Sequence, residues 1–334
     1  MSRRGAGAAA RSLLALALGA VALAAWWKLL GGPAVVRALV ATDARLALVG
    51  FLLVGVSQLF RLFRWLVLLR AVGPVTLGQA FRMLYAAELL NTFLPVKLGD
   101  AGRALAVSRI APFTLGSASA TIVADRLSGI LVRLAVAPLA VLIPFNATRS
   151  LVVSVAAFGG VLVTAAGVGL VVRRRPGLLS VLVGWGLRCV PERVRGPFER
   201  TLSSFVSSLL TLGLAPAIAV RTFFLSLLAL LFQAAAFWLY FRAAGVELEA
   251  LTVIVGTAYL DLLAVLPAPP AGLGVAEWSV TFVFAWTLGV PGVAVSVTAL
   301  VSHGMWLLLV VGLGAASSSA VAEMLPRPGK TDGR

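Results

Sequence analysis

Over residues 151–172 the chain carries no ionisable side chain, and over 292–315 it carries only His303. A helix needs about 20 apolar residues to cross the roughly 30 Å hydrocarbon layer of a bilayer, and its backbone hydrogen bonds are then satisfied internally. Further apolar runs stand at 12–27, 46–69, 114–143, 222–240, 251–266 and 275–288. The alternative to lipid is a very large core, and composition excludes it. Hydrophobic residues make up 60% of the chain and charged residues 12%, whereas soluble domains carry about 25% charged residues. The reading is an all-α, polytopic transmembrane helix bundle of about eight spans, with one or two re-entrant segments broken by Pro and Gly, forming a single domain across 1–334. The first run, preceded by Arg3, Arg4 and Arg11, also fits a cleaved leader. Its continuation through Trp26 and Trp27 favours a retained helix.

The net charge is +16, from 28 basic and 12 acidic residues. The basic residues gather at 70–109 and 173–221 and are sparse at 144–150, 242–250 and 289–291. That is the asymmetry of cytoplasmic against outer connections, and it places both termini in the cytoplasm of a cell (plasma) membrane protein. Segment 28–45 becomes an outer connection despite Lys28, Arg37 and Arg45. Segment 176–216 reads as a cytoplasmic stretch with interfacial amphipathic helices. Basic residues that sit mostly in such flanks argue against nucleic acid as a partner and favour anionic lipid headgroups. The single Cys189 excludes an internal disulfide, and a lone His303 without a Cys/His cluster gives no metal site. No cofactor is expected.

A charge at the bilayer centre costs about 2.5–3.5 kcal/mol on insertion scales, so retained charges need partners, water or a purpose. Two stretches concentrate them. In the first, the short apolar run 83–94, with Glu88 and Asn91, meets Pro95, Gly99, Asp100, Gly102 and Arg103. In the second, Asp261 is followed by Pro267, Pro269, Pro270, Gly272, Gly274 and Glu277. Each break has an acid before a Leu-Pro step and another acid after a glycine. Interruptions in corresponding parts of two halves point to a transporter site, where broken backbone lines a cavity; plain turns remain the other reading. Arg61 and Arg64 share a helix face and either snorkel to lipid phosphates or line that cavity. Asp125 and Arg126 are neighbours that point about 100° apart and so cannot simply pair with each other. Asp125 is free to pair with Arg61, Arg64 or Arg103. His303 reads as a packed or hydrogen-bonded helix residue rather than a proton relay, and Trp278, Trp286 and Trp306 as packing or belt residues.

At these residues the chain resembles the flippase-like family named for the transmembrane region of lysylphosphatidylglycerol synthetase. The likeness runs roughly from residue 45 to 315, the family-like core. It passes through Arg64, Trp65, Leu68 and Leu69, then Asn91, Leu94 and Pro95, then Gly99, Asp100, Arg103 and Ala104. It continues through Asp125, Arg126 and Leu127 to Pro267, Pro270, Gly272, Leu273, Gly274, Val275 and Glu277. Each motif is short; their order and spacing carry the likeness. The family pattern has an arginine in its last helix near the place of His303, and the chain departs from it there. The resemblance implies a stand-alone membrane module, without the soluble aminoacyl-transfer domain of the full synthetases. Such a module moves or handles an anionic or aminoacylated phospholipid, or another lipid-linked headgroup.

The expected headgroup cavity is lined by Arg61, Arg64, Asn91, Pro95, Asp100, Arg103, Asp125, Arg126, Gly272, Gly274 and Glu277. Arginines there grip phosphate, and the acids receive a headgroup amine or neutralise the arginines. A different class of function is a non-catalytic scaffold for a lipid- or glycan-synthesising enzyme, docked through 176–216. No glycine-rich nucleotide loop, metal cluster or nucleophile with its base is evident, so the chain is not expected to be an enzyme. A membrane-embedded transferase using Asp100 as a base is the remaining alternative.

Overall fold

The computed structural model describes residues 3–94, 98–110, 112–142, 160, 174, 192–264, 269–317 and 319–320. Among these every regular element is helical. The order is α1 Arg3–Leu30, α2 Pro33–Val40, α3 Ala44–Arg70, α4 Leu77–Phe93, α5 Leu98–Ser108 and α6 Leu115–Val136, which ends in a 3-10 turn at Ala137–Leu142. Then come α7 Glu192–Leu214, α8 Pro216–Ala243, α9 Ala250–Leu263, a 3-10 turn at Pro270–Gly272, and α10 Val275–Val280. The last of these runs into a π-helical turn at Thr281–Thr287, and α11 Gly292–Ala315 follows.

Local chemistry sets the helix starts. The Asp43 carboxylate accepts from the Arg45 and Leu46 amides at 2.8 and 3.3 Å and caps α3. Reciprocal side-chain and backbone bonds join Thr76 to Gln79 ahead of α4 and Thr114 to Ser117 ahead of α6. Pro33 and Pro216 open α2 and α8, where a missing amide proton costs nothing.

The chain is a multi-pass membrane protein. The helices α3, α8 and α11 are each long and apolar enough to cross a bilayer, and Leu16–Leu30 with α2 forms a further apolar pair bent by 90°. The expected count of about eight spans is not confirmed. The run at 151–172 lies outside the described residues apart from residue 160. Those at 114–143, 251–266 and 275–288 form helices that are charged, short or broken. Segment 28–45 is not a simple outer connection. Gly32, at φ 91, turns the chain into α2, whose Val35 is wholly buried. The segment expected to lie at the interface is helical over Glu192–Leu214 and packs on α6. There Thr114 Oγ1 and Ser204 Oγ are 2.6 Å apart, and Gly116 leaves room for the Thr201 carbonyl.

Small residues let the long helices approach, as interfaces in lipid require. Gly50 on α3 lies under the Tyr240 ring of α8, and Ser57 Oγ donates to the Ala229 carbonyl oxygen at 2.8 Å. One apolar core gathers Phe237, Phe241, Val253, Phe284 and Leu288, and another gathers Leu62, Trp65, Met83, Tyr85 and Val107. The short run 83–94 is the second half of α4. That helix has 17 residues and α5 has 11, lengths of about 26 and 16 Å, both below the hydrocarbon thickness. They pack together as a broken hairpin, with Gly99 directly against the Ala87 carbonyl. Pro95, between them, lies outside the described residues, as does Pro267 in the second break.

A methyl group at Gly99 meets that carbonyl oxygen and stands 2.7 Å from Asn91 Oδ1. Overpacking of this kind costs about 1–3 kcal/mol, against a gain of up to ~1 kcal/mol in helix propensity. Gly99→Ala should therefore lower the Tm measured in detergent. Gly304→Ala, whose methyl enters open space, should leave it unchanged or raised. Equal Tm values for both variants would contradict the close packing of the hairpin.

Candidate functional site

Helices α3 to α6 bring most of the membrane-embedded charge to one place. The three-residue spacing of Arg61 and Arg64 sets both on one face of α3, and they take different partners. Arg61 Nη2 donates to Glu88 Oε1 of α4 at 2.5 Å and Nη1 to Gln58 Oε1 at 2.8 Å. Arg64 Nε donates to Asp125 Oδ1 of α6 at 2.7 Å, and Nη1 to Ser226 Oγ of α8 at 3.0 Å. Consecutive residues on a helix diverge, so Arg126 points elsewhere and reaches Asp100 of α5 at 3.1 Å. Asp100 also accepts from Asn91 Nδ2 at 3.1 Å, while its amide donates to Asn91 Oδ1 at 3.2 Å, which ties the two arms of the hairpin together.

The network continues beyond the residues expected to line the cavity. Arg133 of α6 bonds Asp261 Oδ2 of α9 at 2.6 Å, and Gln233 of α8 bonds the other oxygen at 2.9 Å. Gly129 makes this possible, because a methyl there would stand 2.9 Å from Arg133 and 3.0 Å from Arg64. Among the described residues five guanidinium groups thus face four carboxylates: Arg61, Arg64, Arg103, Arg126 and Arg133 against Glu88, Asp100, Asp125 and Asp261. The balance is one positive charge.

That surplus sits on Arg103. Its guanidinium lies over the Trp65 ring, 4.5 Å from the centroid, a cation–π contact that fixes its plane. Its link to Asp100 is long, at 3.7 Å. The residue is only 1% exposed, yet among the described residues Nε and Nη2 have no hydrogen-bond partner. Buried donors are normally satisfied, and an unmet charged one costs several kcal/mol. Arg64 and Asp125 close the inner side at 4% exposure each, whereas the Arg126 side chain on the outer side is 38% exposed.

Glu277, Gly272 and Gly274 stand apart from this cluster. Among the described residues no hydrogen bond or ion pair links Glu277 to the arginines; its partner is His303 of α11, with Nδ1 and Oε1 2.6 Å apart. The other ring nitrogen lies 2.8 Å from the Ala271 carbonyl oxygen. Gly272 and Gly274 have φ of 69 and 77, so both serve the turn. Gly274 also lets α1 press close. A methyl there would stand 2.7 Å from Ala22 Cβ. The structure thus joins Arg61, Arg64, Asn91, Asp100, Arg103, Asp125 and Arg126 in one cluster, puts Gly272, Gly274 and Glu277 in another, and does not describe Pro95. Glu88, Arg133, Gln233 and Asp261 belong to the first cluster without having been counted in it. The acid before each Leu-Pro step was the available signal for Glu88 and Asp261.

The family model described as the lysylphosphatidylglycerol synthase TM region matches residues 12–314. The matched region begins well before residue 45 and takes in most of α1 and all of α2. No curated protein and no solved structure matches the chain.

Removing one member of a buried ion pair strands the other, at about 3–5 kcal/mol. Arg64→Ala and Asp125→Ala should each destabilise the fold by that order, measured by unfolding in detergent. The variant carrying both changes should lose much less than their sum. Strict additivity would show that the two charges do not depend on each other.

Proposed function

This chain belongs to the family of the lysylphosphatidylglycerol synthase transmembrane region, and on that basis we propose that it is a flippase-like lipid transporter. It translocates or handles an anionic or aminoacylated phospholipid in the plasma membrane, with both termini in the cytoplasm, and makes or breaks no covalent bond. The observation that carries the reading is Arg103. It is a buried guanidinium with two unmet donors, in a cluster one positive charge in excess. A phosphodiester monoanion supplies the missing charge and acceptors. The planar fork of an arginine suits phosphate oxygens bidentately. An amine on the headgroup would meet Asp100, whose side chain is the most exposed of the four acids in the cluster. Acyl tails stay in lipid, so only the headgroup needs desolvation.

The closed state of the cluster supports a cycle with at least one other conformation, since Arg103 at 1% exposure is shut off from a lipid. The α4–α5 hairpin is the element suited to open. Its helices are short, and Asp100 joins it to α6 through the half-exposed Arg126.

The test is leaflet exchange of headgroup-labelled phospholipids in proteoliposomes. A charge-assisted hydrogen bond contributes about 1.5–3 kcal/mol, so Arg103→Gln should slow exchange roughly ten- to a hundredfold. Arg103→Lys, which keeps the charge and loses the fork, should recover only part of the rate. A folded wild type that exchanges no anionic, aminoacylated or zwitterionic lipid would turn the reading to a scaffold for a lipid- or glycan-synthesising enzyme. Unaltered exchange in Arg103→Gln would remove Arg103 from the site.

A further inference from the structure

His303 is placed between two groups that both ask it for a proton. A backbone carbonyl only accepts, so the 2.8 Å contact with the Ala271 oxygen requires a hydrogen on Nε2. The 2.6 Å contact between Nδ1 and Glu277 Oε1 needs one more hydrogen, carried by either atom. The pair is then an imidazolium beside a carboxylate, or a neutral imidazole beside a carboxylic acid. Both forms are neutral overall and share that second hydrogen.

Loss of that hydrogen cannot leave the arrangement intact. A neutral imidazole has one N–H. If it stays on Nε2, the Nδ1 lone pair faces a carboxylate across a contact that short. If it moves to Nδ1, the Nε2 lone pair faces the Ala271 oxygen. Either the Glu277 bond or the Ala271 bond breaks. Among the described residues Glu277 has no second support, since its Oε2 is buried without a hydrogen-bond partner. Ala271 is the one described non-glycine residue at positive φ, at 58. A left-handed backbone is strained for alanine, and the His303 bond holds it in the break between α9 and α10.

Among the described residues the pair has no other charged partner within hydrogen-bond or ion-pair distance. The elements packed against α10 and α11 bring Lys28 on α1, Arg37 on α2, Arg61 on α3, Glu88 on α4, Tyr240 on α8 and Asp261 on α9. None of them hydrogen-bonds or ion-pairs with His303 or Glu277. Arg61 and Glu88 bond each other, and Asp261 bonds Arg133 and Gln233.

We propose that Glu277 and His303 form a proton-binding site whose occupancy sets the conformation of the broken segment at residues 269–274, so that the transmembrane proton gradient drives or biases the lipid movement. The proton is the second ligand of the protein. Bound, it locks the Ala271 turn to α11; released, it leaves the pair with one negative charge and frees one side of it. The coupling rests on the headgroup reading above, whereas the proton site stands on its own geometry.

The experiment uses untagged full-length protein in proteoliposomes, and its two measurements separate these claims. His303 is the single histidine of the chain, so imidazole bands in the pH-difference infrared spectrum report on it alone. Wild type should show a transition in imidazole or carboxyl bands that Glu277→Gln shifts or abolishes and His303→Gln removes. No imidazole or carboxyl change with pH in wild type, or a carboxyl transition identical in both variants, would overturn the proton site. Tm values for the variants identify any that fail to fold. In the second measurement a proton gradient is imposed across vesicles of phosphatidylglycerol and phosphatidylcholine. Wild type should shift the leaflet distribution of labelled phosphatidylglycerol, and Glu277→Gln and His303→Gln should not respond to the gradient. An equal response in the variants would overturn the coupling. A wild type that moves no lipid but keeps its infrared transition would refute the transport reading, and the coupling with it, while leaving the proton site in place.

Discussion

A guanidinium in hydrocarbon must meet its counter-ion before any other feature of helix placement can be settled. Arg64 of α3 and Asp125 of α6 make that contact with both side chains almost wholly buried, and Arg64 also reaches Ser226 of α8. The pair therefore binds three helices at once. Each charge alone would cost about 2.5–3.5 kcal/mol at the bilayer centre, and summed over the cluster that exceeds a typical folding free energy of about 5–15 kcal/mol. The neighbouring pairs extend the same logic. Glu88, Asp100 and Asp261 each take an arginine from an element other than their own, Glu88 from α3 and the other two from α6. In a medium that gives little hydrophobic reason for helices to associate, this set of matched charges specifies which faces meet.

Much of this was legible in the residues themselves. The arginines three apart on α3 declared a polar helix face, and the adjacent Asp125 and Arg126 declared two directions. The proline and glycine breaks marked where helices stop short of spanning. The remainder depended on position in space. Hydropathy treats 28–45 as a connection, because it does not register that Gly32 turns the chain or that Val35 finds a buried seat. Arg133 and Asp261 lie 128 residues apart, and no local pattern links them. The stacking of Arg103 on Trp65, which leaves its donors unmet, arises from packing between α3 and α5. The π-helical turn after α10 has no sequence mark either.

The two breaks share a plan and differ in one chemical respect. In each, the acid before the break is tied to an arginine of another helix, Glu88 to Arg61 and Asp261 to Arg133. After the first break, Asp100 meets two arginines, groups that stay charged at any physiological pH. After the second, Glu277 meets a histidine, whose charge is conditional. One break thus keeps its charges at any physiological pH, as the proposed headgroup site requires. The other can change its charge.

The first helix is locked in place by parts of the chain made much later. Trp26 Nε1 donates to Thr281 Oγ1 at 2.8 Å, and Trp278 Nε1 donates to the Ala22 carbonyl oxygen at 2.9 Å, across separations of 255 and 256 residues. At about 5–20 residues per second, synthesis takes roughly 13 to 50 s to deliver the second partner. Until then the Trp26 indole N–H and the Ala22 carbonyl lack the partners they have in the finished fold. The seat of α1 is thus completed only once residues 278 and 281 are in place: a helix made early is fixed by segments made late.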